Sequence, residues 1–179
     1  MGRDEDKALL SKIPKEQLMD FLFLQLRNLW AVDGLYFLEI EKQWGTKAAT
    51  EIDCTVWEIM GKIEARKLKE FFQIKGNDIA ALMNALRHTC WALDLEDNEV
   101  VVEKNRAVIR NTCCRVQNTR LSKGLPEFGC KPVRLGFLKA FVKEFNPEIS
   151  VRCNVCPPDK HSDDLWCEWE FTPKKGNNQ

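Results

Sequence analysis

The chain has 179 residues, 44% of them hydrophobic and 30% charged, and its 27 basic side chains balance 27 acidic ones. Such a chain has the size and composition of a globular domain that buries roughly two thirds of its unfolded surface without disulfides, which excludes collagenous, disordered and membrane-spanning classes. Balanced charge removes the field by which proteins hold phosphate backbones or anionic bilayers, so neither nucleic acid nor membrane is expected as a partner.

Met1 to Lys7 is charged and only two leucines precede Ser11, unlike a secretory signal, so the expected compartment is the cytoplasm. From Pro14 onward, Leu18, Phe21, Leu22, Leu26, Leu29 and Trp30 recur at helical spacing. Asp33-Gly34 interrupts the pattern, Tyr36, Phe37 and Ile40 resume it, and Gly45 supplies a stop. Thr46 is placed to cap a second helix with an apolar stripe of Ala49, Ile52, Val56, Ile59 and Ile63. A third helix follows Asn77 or Asp78 and runs through Leu82 and Leu86 toward His88.

Beyond this point the period changes. Trp91, Leu93 and Leu95 alternate with polar residues, Asp97-Asn98 has turn chemistry, and Val100 to Val102 opens a second strand, which predicts a hairpin. A third strand is expected over 107–118, then a loop through Gly124, Pro126 and Gly129, and then a helix over 133–145 ended by Asn146-Pro147. Strands over 149–153 and 165–171 complete the sheet, leaving a polar tail. The expected fold class is α+β: N-terminal helices packed on a C-terminal antiparallel sheet, with one further helix before the last hairpin. A single domain over 1–179 is expected, with 13–90 helical, 91–172 forming the sheet half, and 1–12 and 173–179 flexible.

Six of the eight cysteines fall between Cys113 and Cys167. In a reducing compartment this uneven placement points to metal or thiol chemistry rather than to disulfides. Cys153-Asn154-Val155-Cys156 is a C-x-x-C at the end of a strand, Cys167 lies in the strand returning beside it, and both Cys153 and Cys167 fall on apolar faces. Cys130, in the turn before the last helix, completes a predicted set of four metal ligands: Cys130, Cys153, Cys156 and Cys167. Four thiolates suit zinc, and an iron-sulfur cluster uses the same number. Free cysteines are also among the most buried residue types, which is the plain structural reading.

The run from Cys130 through Asn146-Pro147-Glu148-Ile149, Cys153-x-x-Cys156-Pro157-Pro158-Asp159 and Trp166-Cys167-Glu168-Trp169-Glu170-Phe171 resembles the family named for L-2-amino-thiazoline-4-carboxylic acid hydrolase and its bacterial and archaeal relatives. It is more distantly similar to the 4-vinyl-reductase type of small-molecule-binding domain, in which a cysteine before the final helix joins later Cys or Glu residues in holding zinc. The helical half, including Leu29-Trp30-Ala31-Val32-Asp33-Gly34-Leu35, looks more like the uncharacterised relatives than like the hydrolase. The resemblance implies hydrolysis of a cyclic carbon-nitrogen bond as one activity, with no established catalytic residue of that family on this chain.

Trp30, Asp33, Tyr36 and Trp57 are the candidate ligand-binding residues, because aromatics and a carboxylate on helical faces can line a pocket against the sheet. The chain has no Gly-rich phosphate loop, no G-x-S-x-G elbow and no H-E-x-x-H, and neither His88 nor His161 fits a di-iron pairing. The first expectation is therefore a zinc-fastened domain that binds a small molecule. The alternative is a hydrolase of a small cyclic amide-like substrate, and the third an iron-sulfur or thiol redox protein. A second copy of the chain is a further candidate partner.

Overall fold

The computed structural model describes residues 2–95 and 97–174, so most of the expected C-terminal tail lies outside the described residues. The chain divides into two compact units, Met1–Tyr36 and Phe37–Gln179. In the first unit, α1 (Arg3–Leu10) occupies a segment expected to be flexible. Asp4, Glu5 and Asp6 crowd its first turn, where carboxylates favour the helix dipole, and it buries none of its residues.

The long helix α2 (Lys15–Phe71) follows Pro14 and crosses from one unit into the other. It breaks at Gly45, whose φ of 85° and ψ of 162° are backbone angles that side chains oppose, so the stop expected there is a true interruption. The Thr46 hydroxyl donates to Glu41 at 2.8 Å instead of accepting from the helix it precedes. The apolar stripe expected to face inward beyond Thr46 requires correction. Ile52, Val56 and Ile59 are about half exposed, whereas Ala49, Trp57, Gly61 and Ala65 are buried. Close helix contact selects the small residues, and Gly61 lies against the backbone of Phe137 and Phe141.

In the second unit, Asp78 caps α3 (Ile79–Leu86) by accepting from the Ala81 N–H at 2.8 Å. The strand expected at Trp91 to Leu95 is instead the short helix α4 (Cys90–Leu93), because the Thr89 hydroxyl accepts from the Ala92 N–H at 3.1 Å and caps it. The first hairpin lies later than expected: β1 (Asp97–Glu103) contains the supposed turn residues and pairs with β2 (Arg106–Cys113). Where one strand was expected to continue through Asn118, α5 (Arg115–Ser122) forms. The expected last helix is α6 (Lys131–Phe145), and it leads into β3 (Ile149–Val155) and β4 (Cys167–Pro173).

The sheet is antiparallel in the order β1-β2-β4-β3. Ile109 faces Trp169, Ala107 faces Phe171, and Val151 continues that face toward α6, where Phe137, Leu138 and Phe141 are fully buried. The fold is thus α+β, with long N-terminal helices, a four-stranded antiparallel sheet and a helix before the last strand pair.

The other face of the sheet is a ladder of opposite charges. Glu170 sits between Arg106 and Arg152, while Glu168 pairs with Arg110 and accepts from Asn154 at 2.6 Å. The Arg106 and Arg152 hydrogen bonds hold the Glu170 carboxyl at about 2, against 4.5 ordinarily. A carboxyl depressed in the folded state stabilises it above the unfolded value, and that contribution fades as pH falls through the folded one. Urea midpoints of the wild type should therefore fall between about pH 4.5 and 2 more steeply than those of Glu170→Gln. Equal slopes would contradict this role.

Candidate functional site

Cys130 occupies the N-cap of α6, with Pro132 in the first turn behind it. Its N–H donates to the Phe128 carbonyl at 2.7 Å, which folds the preceding loop back on itself. The fully buried Gln117 of α5 clasps that loop: its Nε2 donates to the Phe128 carbonyl at 2.7 Å, and its Oε1 accepts from the Phe128 N–H at 2.8 Å. The same amide reaches the Cys130 sulfur at 3.7 Å. Gln117 is a positioning residue that sequence reasoning missed, because a lone glutamine on a polar helix has no local signal of burial.

On a regular strand, Cys153 and Cys156 would point to opposite faces, since side chains alternate and the two are three residues apart. The structure removes the conflict with a bulge. Cys153 pairs with Trp169 and Val155 with Glu168, so Asn154 is the extra residue and Cys156 returns to the face of Cys167. Beyond it, the Asp159 N–H donates to the Cys156 carbonyl at 2.9 Å and closes the turn. That turn is tied to α6 twice: the Lys131 N–H donates to the Pro157 carbonyl, and the Lys131 ammonium pairs with Asp159 at 2.7 Å.

The sulfurs of Cys130 and Cys156 are consequently 3.5 Å apart. Cys156, fully buried, also lies close enough to Cys167 for the two thiols to shift each other's titration. Contact with Cys156 lowers the thiol pKa of Cys130 and of Cys167, whereas that of Cys156 is raised by these two neighbours and by burial. Cys153 is partly exposed at the edge of this group, and desolvation pushes its thiol up to about 11. Cys114, at the N-cap of α5, lies close enough to interact electrostatically with Cys130 and Cys167, and burial raises it to about 12. Among the described residues, no three His, Cys, Asp or Glu side chains stand in an arrangement that holds a metal ion.

Two buried donors face the cluster. The Trp169 indole N–H has no partner at full hydrogen-bond geometry, yet it interacts with Cys167 and helps lower its pKa. The Arg134 guanidinium lies over the rings of Trp91, Phe137 and Trp57 at 4.8, 5.1 and 5.4 Å. Its charge favours the thiolate forms of Cys130 and Cys167, and its Nη1 is buried without a hydrogen-bond partner. Sequence reasoning passed over Arg134 as well, because two of its aromatic neighbours, Trp57 and Trp91, come from distant elements.

Of the residues expected to bind a ligand, Trp30, Asp33 and Tyr36 belong to the first unit and Trp57 to the second. Trp30 is buried and Tyr36 is 70% exposed, while Trp57 packs edge-on against Phe137. A surface groove of about 560 Å³ runs along Thr46, Thr50, Cys54 and neighbouring residues to Pro132, and none of the four lines it. His161 is held by Glu127 at 3.4 Å and lies tilted against the Trp166 ring.

In fold, the chain is similar to a trafficking protein particle complex subunit 3 from Naegleria fowleri, solved covalently bound to palmitic acid, with a TM-score of 0.54, 11% identity, and 85% of this chain and 96% of that one covered. No curated protein matches the sequence. Residues 11–173 match the model of a family of unknown function (DUF6125), and the chain belongs to that family.

Proposed function

We propose that this chain is a small-molecule-binding domain whose Cys130, Cys156 and Cys167, joined by Cys153, hold one soft metal ion, zinc before iron-sulfur. The observation that carries this reading is the convergence of three sulfurs from three separate places in the chain, Cys130 and Cys156 being 3.5 Å apart. Thiolates about 2.3 Å from one tetrahedral ion are about 3.8 Å from each other, close to the separation of the Cys130 and Cys156 sulfurs. Cys153 needs an adjustment from the edge of the cluster.

Around Cys130 and Cys167 the surroundings favour the thiolate. A buried indole N–H short of a full acceptor and the half-buried Arg134 guanidinium are the groups that stabilise anionic sulfur in a low-dielectric site. Metal binding would release the thiol protons and fasten the start of α6 to the β3–β4 hairpin, a structural role when all four thiolates bind. For the small-molecule part of the reading, the similarly folded subunit, with its covalently bound palmitic acid, supports an apolar ligand for this architecture.

Elemental analysis of the full chain, purified without oxygen, tests the metal. About one zinc per chain is expected, and Cys156→Ala and Cys167→Ala should each bring it close to zero. A wild-type protein without metal would overturn the proposal, as would variants that keep their zinc. Iron with acid-labile sulfide in place of zinc would transfer the same four residues to a cluster.

A further inference from the structure

The strongest unexplained feature lies in the first unit, on the part of α2 before Tyr36. Leu18, Leu22, Gln25, Leu29, Val32 and Tyr36 follow one another at spacings of four and three residues, the repeat that keeps one seam of a helix facing a partner helix. Exposures along the seam are 45% for Leu18, 52% for Leu22, 48% for Leu29, 51% for Val32 and 70% for Tyr36. Met19 and Leu35, at 56% and 65%, widen it on either side. Trp30, one residue and thus about 100° on from Leu29, is buried, so the seam is a second apolar face beside the one that Trp30 marks.

We infer that this seam is a homodimer interface, its occupant the same seam of a second copy running antiparallel. Seven half-exposed large side chains present on the order of 800 Å² of surface, which is what each partner contributes to a stable interface of ordinary size and more than monomers leave open. A two-fold axis near residue 27 sets Leu18 against Tyr36 and Leu22 against Val32, with Gln25 beside Leu29, so large residues meet smaller ones and each layer is self-complementary. A single polar residue in such a seam fixes register at some expense of stability, which gives Gln25 its place.

Charge argues against a membrane as the occupant. Between Lys15 and Tyr36 the helix carries two cations, Lys15 and Arg27, and three anions, Glu16, Asp20 and Asp33, whereas helices that lie on bilayers are rich in lysine and arginine. Among the described residues, no helix is long and apolar enough to cross one.

Sedimentation velocity of the full chain at micromolar concentration, with far-UV circular dichroism, tests the inference. The wild type should sediment as a dimer. Leu22→Glu/Leu29→Glu should be monomeric at least 100-fold above the wild-type dissociation constant, with unchanged helicity because both side chains are exposed. Gln25→Leu, which adds an apolar layer, should tighten the dimer and keeps the inference testable if the double variant unfolds. A monomeric wild type would overturn it. So would a dimer that the charged pair leaves intact, or a wild-type monomer that binds phosphatidylcholine vesicles through this seam.

Discussion

Gly61→Val is expected to destabilise the protein by about 3 kcal/mol and to lower its melting temperature by about 6–12 °C. A Cβ at this position would stand 2.5 Å from the Phe137 carbonyl oxygen, 3.2 Å from the Phe141 nitrogen and 3.3 Å from the Ala140 Cβ. Two of those atoms are backbone and cannot rotate aside, so α2 and α6 would have to separate. The edge-on contact of Trp57 with Phe137, 5.8 Å between centroids, would open with them. Glycine in a helix interior costs about 1 kcal/mol relative to alanine, so close packing here outweighs helix propensity. Gly136→Ala is the control: its Cβ would meet nothing within 4 Å, and that variant should gain up to about 1 kcal/mol. Calorimetry that finds the two variants alike would contradict the packing account.

Glu41→Gln is expected to cost about 3–5 kcal/mol, the loss incurred when one member of a buried ion pair is removed. The Arg120 side chain is 7% exposed and that of Glu41 15%, and the guanidinium donates to both carboxylate oxygens at 2.9 and 3.0 Å. Arg120 also donates from Nε to the Pro126 carbonyl at 3.0 Å and lies 5.8 Å from the ring centres of both Phe37 and Phe128. It therefore joins α2 to the loop that carries Cys130. Without its counter-charge, the guanidinium would stay buried and uncompensated, whereas Glu41→Leu/Arg120→Met should recover most of the loss. The Arg120 hydrogen bond lowers the Glu41 pKa, so this stabilisation is present at neutral pH and lost as acid protonates the carboxylate. Denaturant melts of Glu41→Leu, Arg120→Met and the double variant check the cycle. Additive losses would show that the pair is uncoupled.

Much of the second half was legible in the sequence because its signals are local. Pro132 and Asn146 bracket α6, and the alternation of Trp169 and Phe171 with Glu168 and Glu170 marks a strand with one buried face. The errors arose where two local signals competed. Trp91, Leu93 and Leu95 alternate as a strand would, yet Thr89 caps a helical turn across the first two of them. Along α2, helical spacing identifies apolar faces without saying which of two is inward. The larger residues Ile52, Val56 and Ile59 face out, because Gly61 and Ala65 permit the closer helix contact.

At the candidate site, sequence spacing pointed to Cys130, Cys153, Cys156 and Cys167 as one set, and the structure sets the Cys130 and Cys156 sulfurs 3.5 Å apart. The bulge that lets Cys153 and Cys156 share a face was not legible, since Asn154 carries no mark of an irregular strand. Nor were Gln117 and Arg134. Their composition is that of surface residues, and only the tertiary arrangement puts an amide on the Cys130 loop and a guanidinium among three aromatic rings.

Titration of the metal-free, reduced full chain with cobalt(II) tests the thiolate site most directly, because a sulfur-to-cobalt charge-transfer band appears only when thiolates coordinate. The proposed site predicts an intense near-ultraviolet band that saturates at one equivalent, is displaced by zinc and is absent in Cys156→Ser. Cobalt that binds without such a band, or a band that survives in Cys156→Ser, would contradict it.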